Sequence, residues 1–371
     1  MNKGLKLRRI EFFNREKEKE EIMNILEAEP KLITFIYGPI NSGKTSLITD
    51  MIENLPENYV VIYINLRERA ITSYEDFLET IFDVKYEGIL AKIMWFLGRQ
   101  KDTTNEVISE LGKMHKILIP KGIFNRIFKE EKPKNAFIYI LNLIKDMKSK
   151  GKNPVFIIDE LQKIGDVKTD DYLIYDIFNF FIRLTKELHI CHVFALSSDS
   201  LFIEKVYNEA MLQGRANYIL VDDFDEETTN KFLEKYNFKE TNTAIKYFGG
   251  KPGDLTKLLT QNKDIETIVK ENLDEKKHFL TDMLDELLYI KPKIEMGGEK
   301  EKISVERDRI IGALKEFKDN EEIKDTKISR AEKIYLVKKN MLFVNSKKGT
   351  IKPQSKIDLL AIRDVLKEIE T

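Results

Sequence analysis

A single cysteine, Cys191, in 371 residues leaves no internal disulfide framework. Apolar runs are short, "FIYILNLI" (137–144) being typical, and fall well below the roughly 20 residues needed to cross a bilayer. The opening MNKGLKLRRIEFF has neither the apolar core nor the small-residue cleavage site of a secretory signal. These absences predict a cytoplasmic protein without a membrane span. There is also no excess of either charge: 62 basic and 63 acidic residues leave a net −1. With 42% hydrophobic and 34% charged residues, the composition is that of a folded globular chain, not a disordered one. The length exceeds one ordinary core and predicts two or three compact units.

What is present first is an alternation of two periodicities. "KLITFIYG" (31–38), "YVVIYINL" (59–66), "PVFIIDE" (154–160), "CHVFALSS" (191–198) and "NYILVDD" (217–223) are short, apolar and rich in β-branched or aromatic residues. Helical patterns over 43–54, 73–83, 136–150, 171–188 and 200–212 separate them. Parallel neighbours need crossover connections, so this order predicts an α/β domain of three layers around a mainly parallel five-stranded sheet. The stretch 85–135 interrupts the rhythm with helical pieces around Trp95 and is expected to be an insertion. Trp95 and its apolar neighbours, at helical spacing, are expected to be packing rather than a binding platform.

"GPINSGKT" (38–45) fits G-x-x-x-x-G-K-[ST] between a predicted strand and a predicted helix. That context turns a string into a phosphate-binding loop. Gly38 and Gly43, with Pro39, Ile40, Asn41 and Ser42 between them, let successive N–H groups and the helix start face an anion. Lys44 would reach the β- and γ-phosphates, the hydroxyl of Thr45 would ligate Mg²⁺, and Ser46 would follow in the first helical turn. A second carboxylate strand is supplied by "VFIIDELQKI" (155–164), with Asp159 emerging at its C-terminal end to hold Mg²⁺ through its water shell. Glu160 is the candidate to polarise an attacking water. The alternative for both acids is to cap the helix that follows.

"FFNREKEKEEI" (12–22), "GPINSGKT", "FIIDELQ", "FALSSDS" (194–200), "GRANYILVDDFDEE" (214–227) and "YFGGKPGDL" (247–255) together resemble, in order, the motifs of the archaeal ATPase family. That family lies within the STAND group of P-loop NTPases, relatives of the AAA+ and origin-recognition ATPases. The resemblance covers roughly residues 10–260. It implies ATP or ADP with Mg²⁺ as ligands, a parallel-sheet core (1–224), a helical lid (225–288) and a C-terminal winged helix. It also implies that Asn14 and Arg15 lie over the adenine and that Ser198 is a polar sensor ending the fourth strand. Pro252 would abut the nucleotide from the lid, and Arg215 would occupy the place of an arginine that can act across a subunit boundary. Adenine rests on this resemblance, since no N/T-K-x-D guanine-reading motif follows the second carboxylate strand.

Plainer readings stand beside these. Arg15 could belong to a solvated helix start, Ser198 could be an N-cap, and Arg215 could pair with a local carboxylate. "GGKPG" could be an ordinary helix break. "HICH" (189–192) has no known zinc-ligand spacing and is expected to be core and rim. After a linker at 289–302, the order helix, helix, hairpin, helix over 303–371 resembles a winged helix. From 327 to 356 nine basic residues face one acid, Glu332, a net +8 (nine minus one). Such a face would contact DNA, or else a protein partner. Two functions follow: an ATP-hydrolysing switch that moves lid and winged helix, or a DNA-binding regulator or loader in which ATP is mainly structural.

Overall fold

The structure is a computed structural model that describes residues 10–85, 113–114, 116–120, 124–125, 133–169, 172–295 and 302–370. By its internal contacts the chain divides into two compact units, one of residues 15–37 and 44–220, the other of 1–14, 38–43 and 221–371. The Trp95 segment lies outside the described residues.

The first unit carries strands β1 (Ile33–Tyr37), β2 (Tyr59–Asn65), β3 (Phe82–Lys85), β4 (Lys113–Met114), β5 (Ile117–Pro120), β6 (Asn153–Asp159), β7 (His192–Ser197) and β8 (Ala216–Leu220). Its helices are α1 (Glu16–Glu27), α2 (Lys44–Asn54), α3 (Tyr74–Ile81), α4 (Pro133–Ser149), α5 (Leu173–Ile182) and α6 (Ser200–Tyr207). All five predicted strands enter one parallel sheet in the order β4-β2-β6-β7-β1-β8, the two-residue β4 adding an edge from within the insertion. Every residue of β1 and β7 is buried, as expected of strands covered on both faces. β3 and β5 form a separate parallel pair.

Three predicted helices end early for local reasons. α3 starts at a capping box between Ser73 and Asp76 and stops at Ile81, where the apolar run continues as β3. α5 loosens after Ile182 into a π-helical turn, Arg183–Glu187, in which the Thr185 hydroxyl donates to the Phe181 carbonyl at 2.9 Å. α6 ends at Tyr207, and a 3-10 turn, Ala210–Leu212, completes that segment.

The second unit is helical at first: α7 (Glu226–Lys235), α8 (Thr241–Phe248), α9 (Pro252–Thr260) and α10 (Ile265–Tyr289). Asp225 and Asp264 cap α7 and α10 by accepting N–H bonds three residues on. Phe232, Phe248, Leu255 and Leu258 form their shared core, joined by Ile357 and by the Phe13 ring. The predicted linker holds an antiparallel ribbon, β9 (Lys293–Glu295) with β10 (Lys302–Ser304). Beyond it come α11 (Arg307–Lys315), β11 (Ile323–Lys324), α12 (Arg330–Lys338), β12 (Leu342–Asn345), β13 (Thr350–Pro353) and α13 (Lys356–Glu370). The three strands pair antiparallel in the order β11-β13-β12, so the hairpin predicted around Gly349 forms.

Candidate nucleotide site

At the exit end of the sheet in the first unit, six buried residues carry β6 up to Asp159, which is 3% exposed. α2 begins at Lys44, itself buried. The Thr45 hydroxyl donates to Asp159 Oδ2 at 2.9 Å, and the Tyr63 hydroxyl donates to the same oxygen at 2.9 Å. Burial, then the charge and the hydrogen bond of Asp159, push the Tyr63 hydroxyl far above its ordinary range, so it stays a donor. Both bonds fall on one carboxylate oxygen. A hydroxyl beside a buried carboxylate is an all-oxygen donor set, which suits Mg²⁺ and its retained waters.

Glu160 is held in the left-handed region (φ 63°, ψ 41°) and is 4% exposed. That backbone costs about 1–2 kcal/mol for a residue with a Cβ, and three contacts hold the side chain it aims. Arg67 Nη2 lies 2.7 Å from Oε1, Gln162 Nε2 donates to Oε2 at 2.7 Å, and the Ser198 hydroxyl donates to Oε1 at 3.4 Å. Gln162 is oriented in turn, its Oε1 accepting from the Ser197 hydroxyl at 2.9 Å. The capping alternatives fail here. Glu160 makes no side-chain cap to the 3-10 turn Leu161–Ile164, and the N-cap of α6 is Asp199, which accepts from Leu201 and Phe202.

The other unit contains the loop 38–43. A Cβ on Gly38 would lie 2.0 Å from the Val221 carbonyl oxygen, and Gly43 sits at φ +93°, so both positions require glycine. Asn41 adopts φ 61°. Pro252 opens α9 at its first turn, and the Gly253 N–H donates to the Asn41 carbonyl at 3.1 Å. Lys251, 4% exposed, donates to the Ile40 carbonyl at 3.0 Å and pairs with Asp223 at 3.1 Å. The "GGKPG" stretch therefore does more than break two helices. Asn14 donates to the Thr228 hydroxyl at 3.0 Å in this unit.

Two predicted residues have partners close by in sequence. Arg15, in the first unit, is buried at φ 81° and pairs with Glu18 at 3.0 Å, which corrects the solvated-start alternative. Arg215 precedes β8, level with the entering end of β1, about 13 Å along the strands from Asp159. Its Nη1 donates to the Met211 carbonyl at 2.8 Å, so its local partner is a carbonyl and not a carboxylate. His189 and His192 do not share a partner: the former meets the Pro30 carbonyl at 2.7 Å, while the latter is buried at the start of β7.

Tyr63, Arg67, Gln162 and Lys251 were not singled out by the motifs, though each lies within a few residues of one or of a predicted strand end. A tyrosine inside "YVVIYINL" and a glutamine two places past Glu160 are polar groups where burial is expected, a usable signal.

Against known proteins, residues 12–258 match a family described as an ATPase domain predominantly from Archaea. Residues 266–366 match the C-terminal domain of the "uncharacterized ATP-binding protein MJ1010-like" type. An uncharacterized ATP-binding protein of Methanocaldococcus jannaschii is 46% identical over 370 residues, covering 98% of this chain and 99% of its own. One from Pyrococcus abyssi is 45% identical over 359 residues, covering 96% and 99%. Among solved structures, a Walker-type ATPase of Pyrococcus abyssi superposes with a TM-score of 0.58 at 18% identity, covering 95% of this chain and 96% of that one, a likeness of fold. With two thirds of its length inside one family and full-length relatives above 40% identity, this chain belongs to the predominantly archaeal ATPase-domain family of ATP-binding proteins.

Proposed function

We propose that the protein binds ATP with Mg²⁺, hydrolyses it slowly, and uses the change of nucleotide state as a switch on residues 225–371. The observation that carries this reading is the convergence of Thr45 and Tyr63 on one oxygen of buried Asp159, next to a separately anchored Glu160. In this reading the loop 38–43 and the start of α2 receive the phosphates on backbone N–H groups, and Lys44 carries the charge of the β- and γ-oxygens. Thr45 and Asp159 would hold the metal, which when bound would supply positive charge to offset that of the phosphoryl oxygens. Glu160 takes a proton from the attacking water, and Ser198, at 3.4 Å, and Gln162 keep its carboxylate aimed. Arg67 engages the same carboxylate, which favours a low resting rate.

The order α11, β11, α12, hairpin, α13 supports a winged-helix assignment for 303–371, and the wholly helical run α7 to α10 supports a lid over 225–288. Among the described residues no helix is long and apolar enough to cross a membrane.

Steady-state phosphate release by the wild type and by Glu160→Gln tests the enzyme reading. The variant should lose about 100-fold or more in rate while its ATP affinity, measured by calorimetry, stays within about threefold. Equal background rates with ATP still bound would instead make the nucleotide a structural ligand of a regulator.

A further inference from the structure

Three consecutive peptide groups of the loop 38–43 are each held by a different residue from much later in the chain. Gln354 Oε1 accepts from the Ile40 N–H at 3.2 Å, Lys251 Nζ donates to the Ile40 carbonyl at 3.0 Å, and the Gly253 N–H donates to the Asn41 carbonyl at 3.1 Å. All four segments belong to the same compact unit.

Gln354 is built for this contact. It follows β13 directly and is 6% exposed. Its Nε2 donates to the Leu342 carbonyl at 3.1 Å and its backbone N–H to the Met341 carbonyl at 2.9 Å. With the amide nitrogen spent on Leu342, the amide oxygen is the end left to face Ile40, so flipping the amide would set two donors against each other. The hairpin therefore presents one acceptor of fixed sense to one loop N–H.

The consequence follows from peptide geometry. In a trans peptide the carbonyl and the next N–H point in opposite directions. Lys251 and Gly253 draw the Ile40 and Asn41 carbonyls to their side, which turns the Asn41 and Ser42 N–H groups the other way; Ser42 N–H closes on the Pro39 carbonyl at 3.3 Å. Gln354 fixes the peptide before these. The curl that a phosphate-binding loop needs is thus imposed in advance, from outside the loop.

We infer that Gln354 is a positioning residue of the nucleotide site and that the hairpin 342–353 is the element through which nucleotide occupancy is felt in the C-terminal domain. This rests on the ATP reading above and names its coupling contact. Linkage makes the effect reciprocal: whatever the docked hairpin adds to nucleotide affinity, bound nucleotide returns to hairpin docking by the same factor.

The test uses the full chain with Mg²⁺·ATP and Mg²⁺·ADP, comparing wild type, Gln354→Leu, which keeps the shape and removes the acceptor, and Lys347→Ala at the exposed hairpin tip. Calorimetry should show both nucleotides bound about fivefold more weakly by Gln354→Leu, the worth of one neutral hydrogen bond, with Lys347→Ala unchanged. Hydrogen exchange should slow over 341–354 when nucleotide is added to the wild type and fail to do so in Gln354→Leu, a readout that a merely structural glutamine would not move. Wild-type affinity in Gln354→Leu, or a wild type that binds nucleotide with no change of exchange at 341–354, overturns the inference alone. If Gln354→Leu does not fold, the wild-type exchange result decides. A wild type that takes up neither nucleotide overturns the ATP reading and this inference with it.

Discussion

Arg67 is 58% exposed at its side chain while the carboxylate it meets, Glu160, is 6% exposed, and this asymmetry decides what each contributes. Removing the arginine leaves a buried charge that still has Gln162 and Ser198, so the loss is modest; removing the glutamate leaves an arginine that solvent accommodates. A double-mutant cycle of Arg67→Ala and Glu160→Gln, read by urea unfolding at pH 7, should therefore give a coupling of about 1 kcal/mol, well below that of a fully buried pair. Additive single effects would show that the 2.7 Å contact contributes nothing to stability. Residues of this kind were only half legible in the sequence. Lys44, Thr45, Asp159 and Glu160 announce themselves because their chemistry dictates a fixed local spacing. Arg67 does not, since its role arises from the parallel pairing that sets Asn65 of β2 beside Asp159 of β6, 94 positions later in the chain.

At the scale of elements, strands were easier to read than helix ends. Five strands declare themselves by continuous apolar runs, whereas the ends of α5 and α6 depend on π and 3-10 turns that the 3.6-residue period does not distinguish. α9 adds an electrostatic feature that no pattern signals. Its first turn carries Asp254, whose carboxyl is pushed up to about 6 chiefly by burial and also by Asp358 and Asp223, against the lowering effect of Lys251 and Lys276. In the unfolded chain the same group titrates near 3.9. Between those values the folded state holds the extra proton, so this residue's contribution to stability falls as pH rises from about 4 to 6 and stays unfavourable above. Asp254→Asn should raise the urea midpoint at pH 7.5 by an amount equivalent to about 1–3 kcal/mol, after allowance for its partial exposure. The advantage should shrink towards zero at pH 4.5. An equal gain at both pH values would point to packing and not to proton binding.

For the whole molecule, charge counted along the chain is a poor guide to charge available for binding. Of the nine basic residues between 327 and 356, five meet acids: Lys327 with Glu316, Lys333 with Asp325, Lys339 with Glu286, Lys352 with Asp222 and Lys356 with Glu321. All five of those acids, Asp222, Glu286, Glu316, Glu321 and Asp325, lie outside the span 327–356, which is why the local count of +8 overstated the field. Arg330, Lys338, Lys347 and Lys348 have no acidic partner among the described residues, and the last two stand at the tip of the hairpin. Counterion release gives a slope of about −0.9 in log K against log salt for each phosphate neutralised on duplex DNA. Four available cations therefore predict a slope no steeper than about −4, in place of the roughly −7 that eight net charges would give. Fluorescence anisotropy of a labelled duplex, titrated with the full chain between 50 and 300 mM salt, reads this directly, with about those concentrations chosen to span the steep region. Lys347→Ala with Lys348→Ala should halve the slope, because those two side chains are half of the unpaired set. A flat response in the wild type would assign this surface to a protein partner, and a slope near −7 would mean that the five ion pairs open on DNA.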